Sequence, residues 1–403
     1  MNPSVHYSLS GGRVPRGVIQ RVPQELAFST PEYQRRMRLV RDGMEKDGID
    51  LLLVFAPPNV FYLSGFQSFA MYNNECIILP LEGEPLLIVD PPEIGGALMH
   101  SWFDNVYGYP PNEGRESFLS KLIINQKGVS PKMAVETDSR ALPVRFYEAF
   151  RNHLPKANFI DGSDLVPQVK ATKSEEEIAH LRHSASLTDA GMSAAINAIE
   201  IGASDNDVAV AAYEAMINGG SEYMCVDPIV TSGIRSSILH SNHKRITLNT
   251  GDTLLMELGA CIQRYTAPTM RAAVIGEPSP EVRLVADACL AALGNVLSSL
   301  KAGISSHEVA SAGWMALREA GDDIVFHGSF GYAIGAGFPP TWADDTGAIA
   351  WGNHTPLTAG QVFHHPVAVR KLGKFGVAFS ETTVITESGC EVLTGSPREL
   401  TVR

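Results

Sequence analysis

Apolar positions along the chain fall into two stretches of different character that meet near residue 170. In the first stretch, continuous apolar runs at 50–56, 75–80, 85–89 and 132–137 predict buried strands. The second and third runs are joined by Leu81-Glu82-Gly83-Glu84, which reads as a hairpin connection. Helical patterns lie between them. One starts at Thr30-Pro31, with proline at the first helical position, runs to about Lys46 and stops near Gly48. Another covers 142–153. The first stretch is therefore a mixed α/β unit, preceded by an extended arm over 1–28 that is rich in Gly, Pro and Arg.

The second stretch opens at Val169-Lys170-Ala171-Thr172-Lys173 and runs straight into Ser174-Glu175-Glu176-Glu177, a capping box ahead of a long helical pattern that ends at Gly202. Ser204 to Asp207 starts a helix in the same way, with the acid shortened to aspartate, and Ser305-Ser306-His307-Glu308 opens a third that ends near Gly321. Strand-rich segments lie around 226–231, 252–275, 361–369 and 375–386. Helices wrapped around a curved antiparallel sheet fit this order, and no internal repeat is evident. The expected organisation is thus an arm (1–28), an α/β domain (29–169) and an α+β domain (170–403).

Composition narrows the function. The 403 residues are 44% hydrophobic and 19% charged, ordinary for a soluble globular protein. The formal charge of −12 argues against a nucleic-acid surface. No apolar run is long enough to suggest a membrane span, and the first 28 residues lack an apolar signal core, so a cytoplasmic location is expected. Five dispersed cysteines without a C-x-x-C pair read as reduced, mostly buried thiols.

The informative motif is Leu254-Leu255-Met256-Glu257-Leu258-Gly259-Ala260, preceded by Gly251-Asp252 and followed by Tyr265 and Arg271. Lys170 to Glu177, His240, Gly331-Tyr332-Ala333-Ile334-Gly335, Gly360-Gln361-Val362-Phe363 and Gly376 to Glu381 complete a frame. From about residue 30 onward this frame resembles the creatinase/methionine-aminopeptidase/prolidase ("pita-bread") family. The resemblance implies a creatinase-like N-terminal α/β domain and a pita-bread α+β catalytic domain with a curved antiparallel sheet. It also implies a homodimer whose sites are shared across the interface.

In that family two aspartates, a histidine and two glutamates bind two metal ions. The matching positions here are Glu257, Pro268, Tyr332, His365 (with one residue of slack) and Ser380. Neutral Pro, Tyr and Ser cannot supply the carboxylates that bridge two cations. The chain therefore looks like a member that uses no metal or other cofactor. Among metal-free relatives, ectoine hydrolases are the most similar. They share Pro57-x-Asn59-x-x-x-Leu63-x-Gly65, the run from Leu79 to Pro85, Gly331-Tyr332-x-Ile334-Gly335-Ala336 with Pro339-Pro340-x-Trp342, and Phe363-His364. The resemblance implies hydrolysis of a non-peptide C–N bond in a small zwitterionic or cyclic amidine compound. An Xaa-Pro dipeptidase-like metallopeptidase, a creatinase-like amidinohydrolase and a non-catalytic binding homologue are the alternatives.

The residues themselves suggest roles. Glu257, the inward acid of an apolar strand, is expected to be a general base whose pKa burial raises. His240 is expected to orient water or serve the leaving nitrogen, and Tyr332, placed in a glycine-rich turn, to donate to a developing charge. His364 and His365 alternate faces, and His364 is the one expected to meet substrate. Tyr265, Glu381 and Trp342 complete the expected substrate contacts. In creatinase-like dimers a loop reaches the neighbouring subunit's site, and its equivalent here carries Phe66, Phe69 and Tyr72.

Overall fold

The computed structural model describes residues 12–69 and 74–403. It divides into two compact units, Met1–Lys170 and Ala171–Arg403. In the first unit a seven-stranded mixed sheet has Leu51–Val54 near its middle, antiparallel to Cys76–Pro80 and parallel to Lys132–Val135. Leu52 and Val54 pack on one face of the sheet and Leu51, Leu53 and Phe55 on the other. Burial on both faces is why this strand reads as an unbroken apolar run. Helix Thr30–Lys46 begins where the Ser29 side chain accepts from the Glu32 N–H, and Gly48 follows its end at φ +61°, a conformation glycine adopts freely.

Part of the expected arm is structured. Gly12–Arg13 pairs antiparallel with Val106–Gly108 at the edge of the sheet, and Arg16–Ile19 is a short helix.

In the second unit all three capping boxes are made, at Ser174/Glu177, Ser204/Asp207 and Ser305/Glu308. The helices they open are Glu175–Asn197, Asp205–Asn218 and Ser306–Leu317. The first ends five residues before Gly202. A four-stranded sheet holds Ile229–Ser232, Thr253–Leu258, Thr269–Val274 and Thr401–Val402. A larger curved antiparallel sheet contains Ser329–Phe338, Val362–Lys371 and Phe375–Ile385, with Thr341–Ala350 paired to the first of these. The two sheets meet where Leu255 and Met270 pack on Ala368 and Ala378.

Two expectations need correction. Gly331 to Gly335 lies within the ten-residue strand Ser329–Phe338, not in a turn. Its glycines answer crowding: a Cβ on Gly331 would lie 2.8 Å from His365 Nδ1, and one on Gly335 2.6 Å from Asp344 Oδ2. Among the described residues one helix, Pro280–Ser299, is long and apolar enough to cross a membrane. Val282, Val285, Ala286, Cys289, Leu293 and Val296 bury one side of it in the core of the second unit. The five cysteines are free thiols, four of them buried.

Candidate active site

Strand Thr253–Leu258 is buried at all six positions. Leu254, Met256 and Leu258 pack with the helical layer, which leaves Leu255 and Glu257 on the face toward the larger sheet. Glu257 is 8% exposed and accepts no hydrogen bond from any described residue. Burial pushes its carboxyl up to about 7, and the nearby Arg370 guanidinium pulls it back in part. A carboxyl poised there is suited to taking a proton from water at neutral pH.

Glu257 opens into a cavity of about 600 Å³ within the second unit. Tyr332, Trp342 and His240 line it as well, so four of the expected residues come together. His240 sits exposed at the rim in the left-handed region, at φ 55°. Trp342 is almost fully buried, and its ring lies close to the backbone at Gly259, where a Cβ would be 3.1 Å from it. The cavity also takes in Cys225, Asp227 and Asn242, which the sequence reading did not single out. Asp227-Pro228, a turn signal just ahead of strand Ile229–Ser232, was the available clue.

Tyr332 and His364 are direct cross-strand neighbours. The Tyr332 hydroxyl accepts from Trp342 Nε1–H at 2.8 Å and lies 2.8 Å from His364 Nδ1. His364 Nε2 lies 2.7 Å from Ser380 Oγ, which accepts from the Met270 N–H at 2.6 Å. Burial, then the Glu257 charge, raises the Tyr332 pKa, so the phenol keeps its proton. Burial, then His365, pushes His364 well below its ordinary range, so that ring is neutral.

Other expected contacts are placed elsewhere. Both ring nitrogens of His364 are engaged behind Tyr332, so it supports the cavity wall rather than forming it. Glu381 is fully buried on the opposite face from Ser380. Arg271 Nη2 at 2.8 Å, Arg398 Nε at 3.3 Å and the Thr394 hydroxyl all engage it. Tyr265 donates to Glu177 Oε1 at 2.8 Å, tying the strand to the capping box. In the first unit Phe66 is buried in the core, whereas Phe69 is 84% exposed in the same loop. Tyr72 lies outside the described residues.

Strand register also revises the fourth metal-ligand position. His365 turns away from His364, toward Phe330 O (2.9 Å) and Thr383 Oγ1 (2.8 Å). The residue on the face of His364 and opposite Ser380 is Pro366. Pro268 offers only its carbonyl, which Thr382 occupies at 2.9 Å. Glu257, Pro268, Tyr332, Pro366 and Ser380 together provide one carboxylate. This donor set does not fit a pair of divalent ions, which need several bridging oxygens of negative charge. Among the described residues no cluster of three or more His, Cys, Asp or Glu is arranged to hold a metal ion.

The family model for metallopeptidase family M24 matches residues 179–387. The chain belongs to that family. A creatinase/prolidase N-terminal domain model matches residues 36–171 of this M24 chain. The chain is similar to an ectoine hydrolase of Halomonas elongata, 29% identical over 399 residues, covering 94% of this chain and 99% of the relative. It is also similar to an Xaa-Pro dipeptidase of Pyrococcus horikoshii, 25% identical over 91% of this chain and 98% of the other. The crystal structure of an X-Pro aminopeptidase from Thermotoga maritima superimposes with a TM-score of 0.80 at 26% identity, covering 91% and 99% of the two chains. The M24 chain thus pairs a creatinase-like N-terminal domain with a pita-bread catalytic domain, and it is a hydrolase acting on C–N bonds.

Proposed function

We propose that this M24 hydrolase opens a C–N bond of a small cyclic amidine-type zwitterion, with ectoine as the first substrate to try, and that it does so without a metal. The observation that carries the reading is Glu257: an unpaired carboxylate inside a cavity, with its pKa pushed up to about 7 by burial. The described cavity wall holds two carboxylates, Glu257 and Asp227, and no lysine or arginine. That lining favours a substrate whose reacting end is cationic. The similarity to the Halomonas elongata ectoine hydrolase over nearly the whole chain points the same way.

The chemistry follows from the charge. A protonated amidine is already electrophilic at carbon, so it needs less Lewis-acid help than a peptide carbonyl. Glu257 takes a proton from water as the oxygen bonds to that carbon, giving a tetrahedral aminol. The C–N bond to one nitrogen then breaks. That nitrogen leaves as an amine carrying the proton from Glu257. The aminol hydroxyl proton passes by way of the freed carboxylate to that amine, which departs as an ammonium, and the other nitrogen remains as an amide. His240, at the rim, is placed to meet water or the departing amine.

We also propose that the enzyme acts as a cytoplasmic homodimer. Among the described residues of the loop, Phe69 is an exposed ring available to a second copy's substrate, whereas Phe66 is committed to the core.

The deciding experiment measures turnover of ectoine, hydroxyectoine, creatine and Xaa-Pro dipeptides before and after exhaustive chelation. Amidine opening that survives chelation is expected. Dipeptide cleavage lost on chelation and restored by Mn²⁺ or Co²⁺ would favour the Xaa-Pro dipeptidase reading suggested by the Pyrococcus relative.

A further inference from the structure

We infer that Ser380 and His364 act as positioning residues that fix the Tyr332 hydroxyl as a hydrogen-bond donor aimed into the cavity. The argument is a count of protons along one chain of contacts: Trp342 Nε1 to Tyr332 Oη, Tyr332 Oη to His364 Nδ1, His364 Nε2 to Ser380 Oγ, and Met270 N to Ser380 Oγ. The two ends are fixed, because an indole N–H and a backbone N–H can only donate. The neutral His364 ring carries one proton, so two arrangements are open.

In the first, the proton is on Nε2. Tyr332 then donates to Nδ1, His364 donates to Ser380, and Ser380 Oγ accepts twice. The Ser380 hydroxyl proton is left without an acceptor among the described residues, on a fully buried side chain that water cannot reach. In the second, the proton is on Nδ1. Ser380 donates to Nε2, and Tyr332 accepts from both Trp342 and His364. The one unspent proton is then on the Tyr332 hydroxyl, which lines the cavity and meets solvent or ligand.

Sealing an unpaired donor away from water is costly, whereas a donor facing the cavity costs little, so the second arrangement wins. His364 is the Nδ1–H tautomer. Tyr332 is a fixed donor, with Glu257 close enough for its charge to keep the phenol protonated. The donor serves whichever atom of a bound ligand gains electron density. In the amidine hydrolysis proposed above, on which this last assignment rests, that atom is the oxygen of the tetrahedral aminol or the nitrogen that departs. The mutual support of Tyr332, His364 and Ser380 also explains three neutral polar groups set close together beside Glu257.

The test begins without substrate. Two-bond ¹H–¹⁵N correlation spectra of the ¹⁵N-histidine-labelled protein, with His364 assigned by its loss in His364→Gln, read the tautomer directly. A protonated Nδ1 is expected; a protonated Nε2 overturns the inference, whatever the substrate proves to be. In Ser380→Ala the ring is expected to switch to Nε2–H, turning the tyrosine proton inward. On whichever substrate the turnover screen identifies, kcat should fall about tenfold or more with KM little changed. Tyr332→Phe should fall at least as far, and the double variant no further than Tyr332→Phe alone. Full kcat in Ser380→Ala, or additive losses, would also overturn it. Should Ser380→Ala not fold, the wild-type spectrum decides. Nδ1–H in an enzyme that opens no amidine would leave this inference standing and remove the functional reading.

Discussion

Glu257 and Arg370 carry opposite charges on facing strands of the catalytic domain and do not form an ion pair. The guanidinium is nonetheless the single charge that draws the Glu257 pKa down against its burial. Arg370 is itself 5% exposed. Its Nε has no partner, and its one side-chain hydrogen bond among the described residues is a long one, 3.4 Å from Nη1 to Ala368 O. Burial lowers its pKa and Glu257 raises it in return. The expected outcome is a pH profile of kcat/KM that rises through about pH 7 as Glu257 ionises. Arg370→Met should move that limb to higher pH while sparing the plateau. A limb unmoved by the substitution would show that Arg370 does not act on Glu257.

Glu257 should also cost stability. Its folded pKa, about 7, stands above the ordinary 4.5, so between those values the native state binds more protons than the unfolded chain. Stability contributed by the protonated form is then complete below about pH 4.5 and is lost as pH rises through about 7. The difference corresponds to roughly 3 kcal/mol at most. Glu257→Gln should therefore abolish turnover while raising the unfolding free energy at pH 8, with the gain shrinking toward zero near pH 4. Denaturant titrations at the two pH values measure it. A destabilised variant at pH 8 would mean that the carboxylate is stabilised in the fold rather than held at a cost.

What the sequence made legible was local. Thr30-Pro31 announces a helix, and the three capping boxes announce three more, because each signal lies within four residues of what it controls; that Ser29 rather than Thr30 caps the first is seen only in the structure. Glu257 was visible as one acid in an apolar strand. Ser380 and Glu381 show the limit. They are adjacent, but a shift of one position exchanges faces, and only the pairing of Pro366 with Ser380 decides which of the two accompanies His364. The same parity exchanged His365 for Pro366. Tyr332 reads as a turn residue because glycines that relieve crowding look the same in a sequence as turn glycines. Arg370 lies 113 residues from Glu257 along the chain and gives no local sign that it senses it. Helix Arg115–Lys127 was missed because only Leu119, Ser120 and Ile123 of its thirteen residues are buried, too few to set a period.

In the first unit, Glu136 joins the end of strand Lys132–Val135 to the start of helix Pro57–Ser64. Its Oε2 accepts from the Phe55 N–H at 2.7 Å and the Ala56 N–H at 2.8 Å, and its Oε1 accepts from Asn59 Nδ2 at 2.7 Å. Glu136→Ala would leave these donors without an acceptor in a buried site, at a cost of about 3 kcal/mol. Glu136→Gln keeps one carbonyl oxygen and should lose less. Thermal unfolding should rank the parent above Gln and Gln above Ala. Equal midpoints for Gln and Ala would show that the carboxylate's acceptor bonds are not what holds the helix start.

Glu381 separates support from substrate contact. Removing its charge leaves Arg271 buried at 1% exposure, with carbonyl partners at Pro397 O (2.7 Å) and Ser380 O (2.7 Å) but no carboxylate. Breaking one half of a buried ion pair costs about 3–5 kcal/mol. Arg271 also crosses from the four-stranded sheet to Ser380 of the larger one, so the loss falls on the joint between the two sheets. Glu381→Gln should lower the unfolding midpoint substantially and leave the KM of the folded fraction near that of the parent. A raised KM with an unchanged midpoint would put Glu381 among the substrate contacts after all. The distinction matters because Ser380, one residue earlier on the same strand, is expected to behave in the opposite way, with kcat falling more than stability.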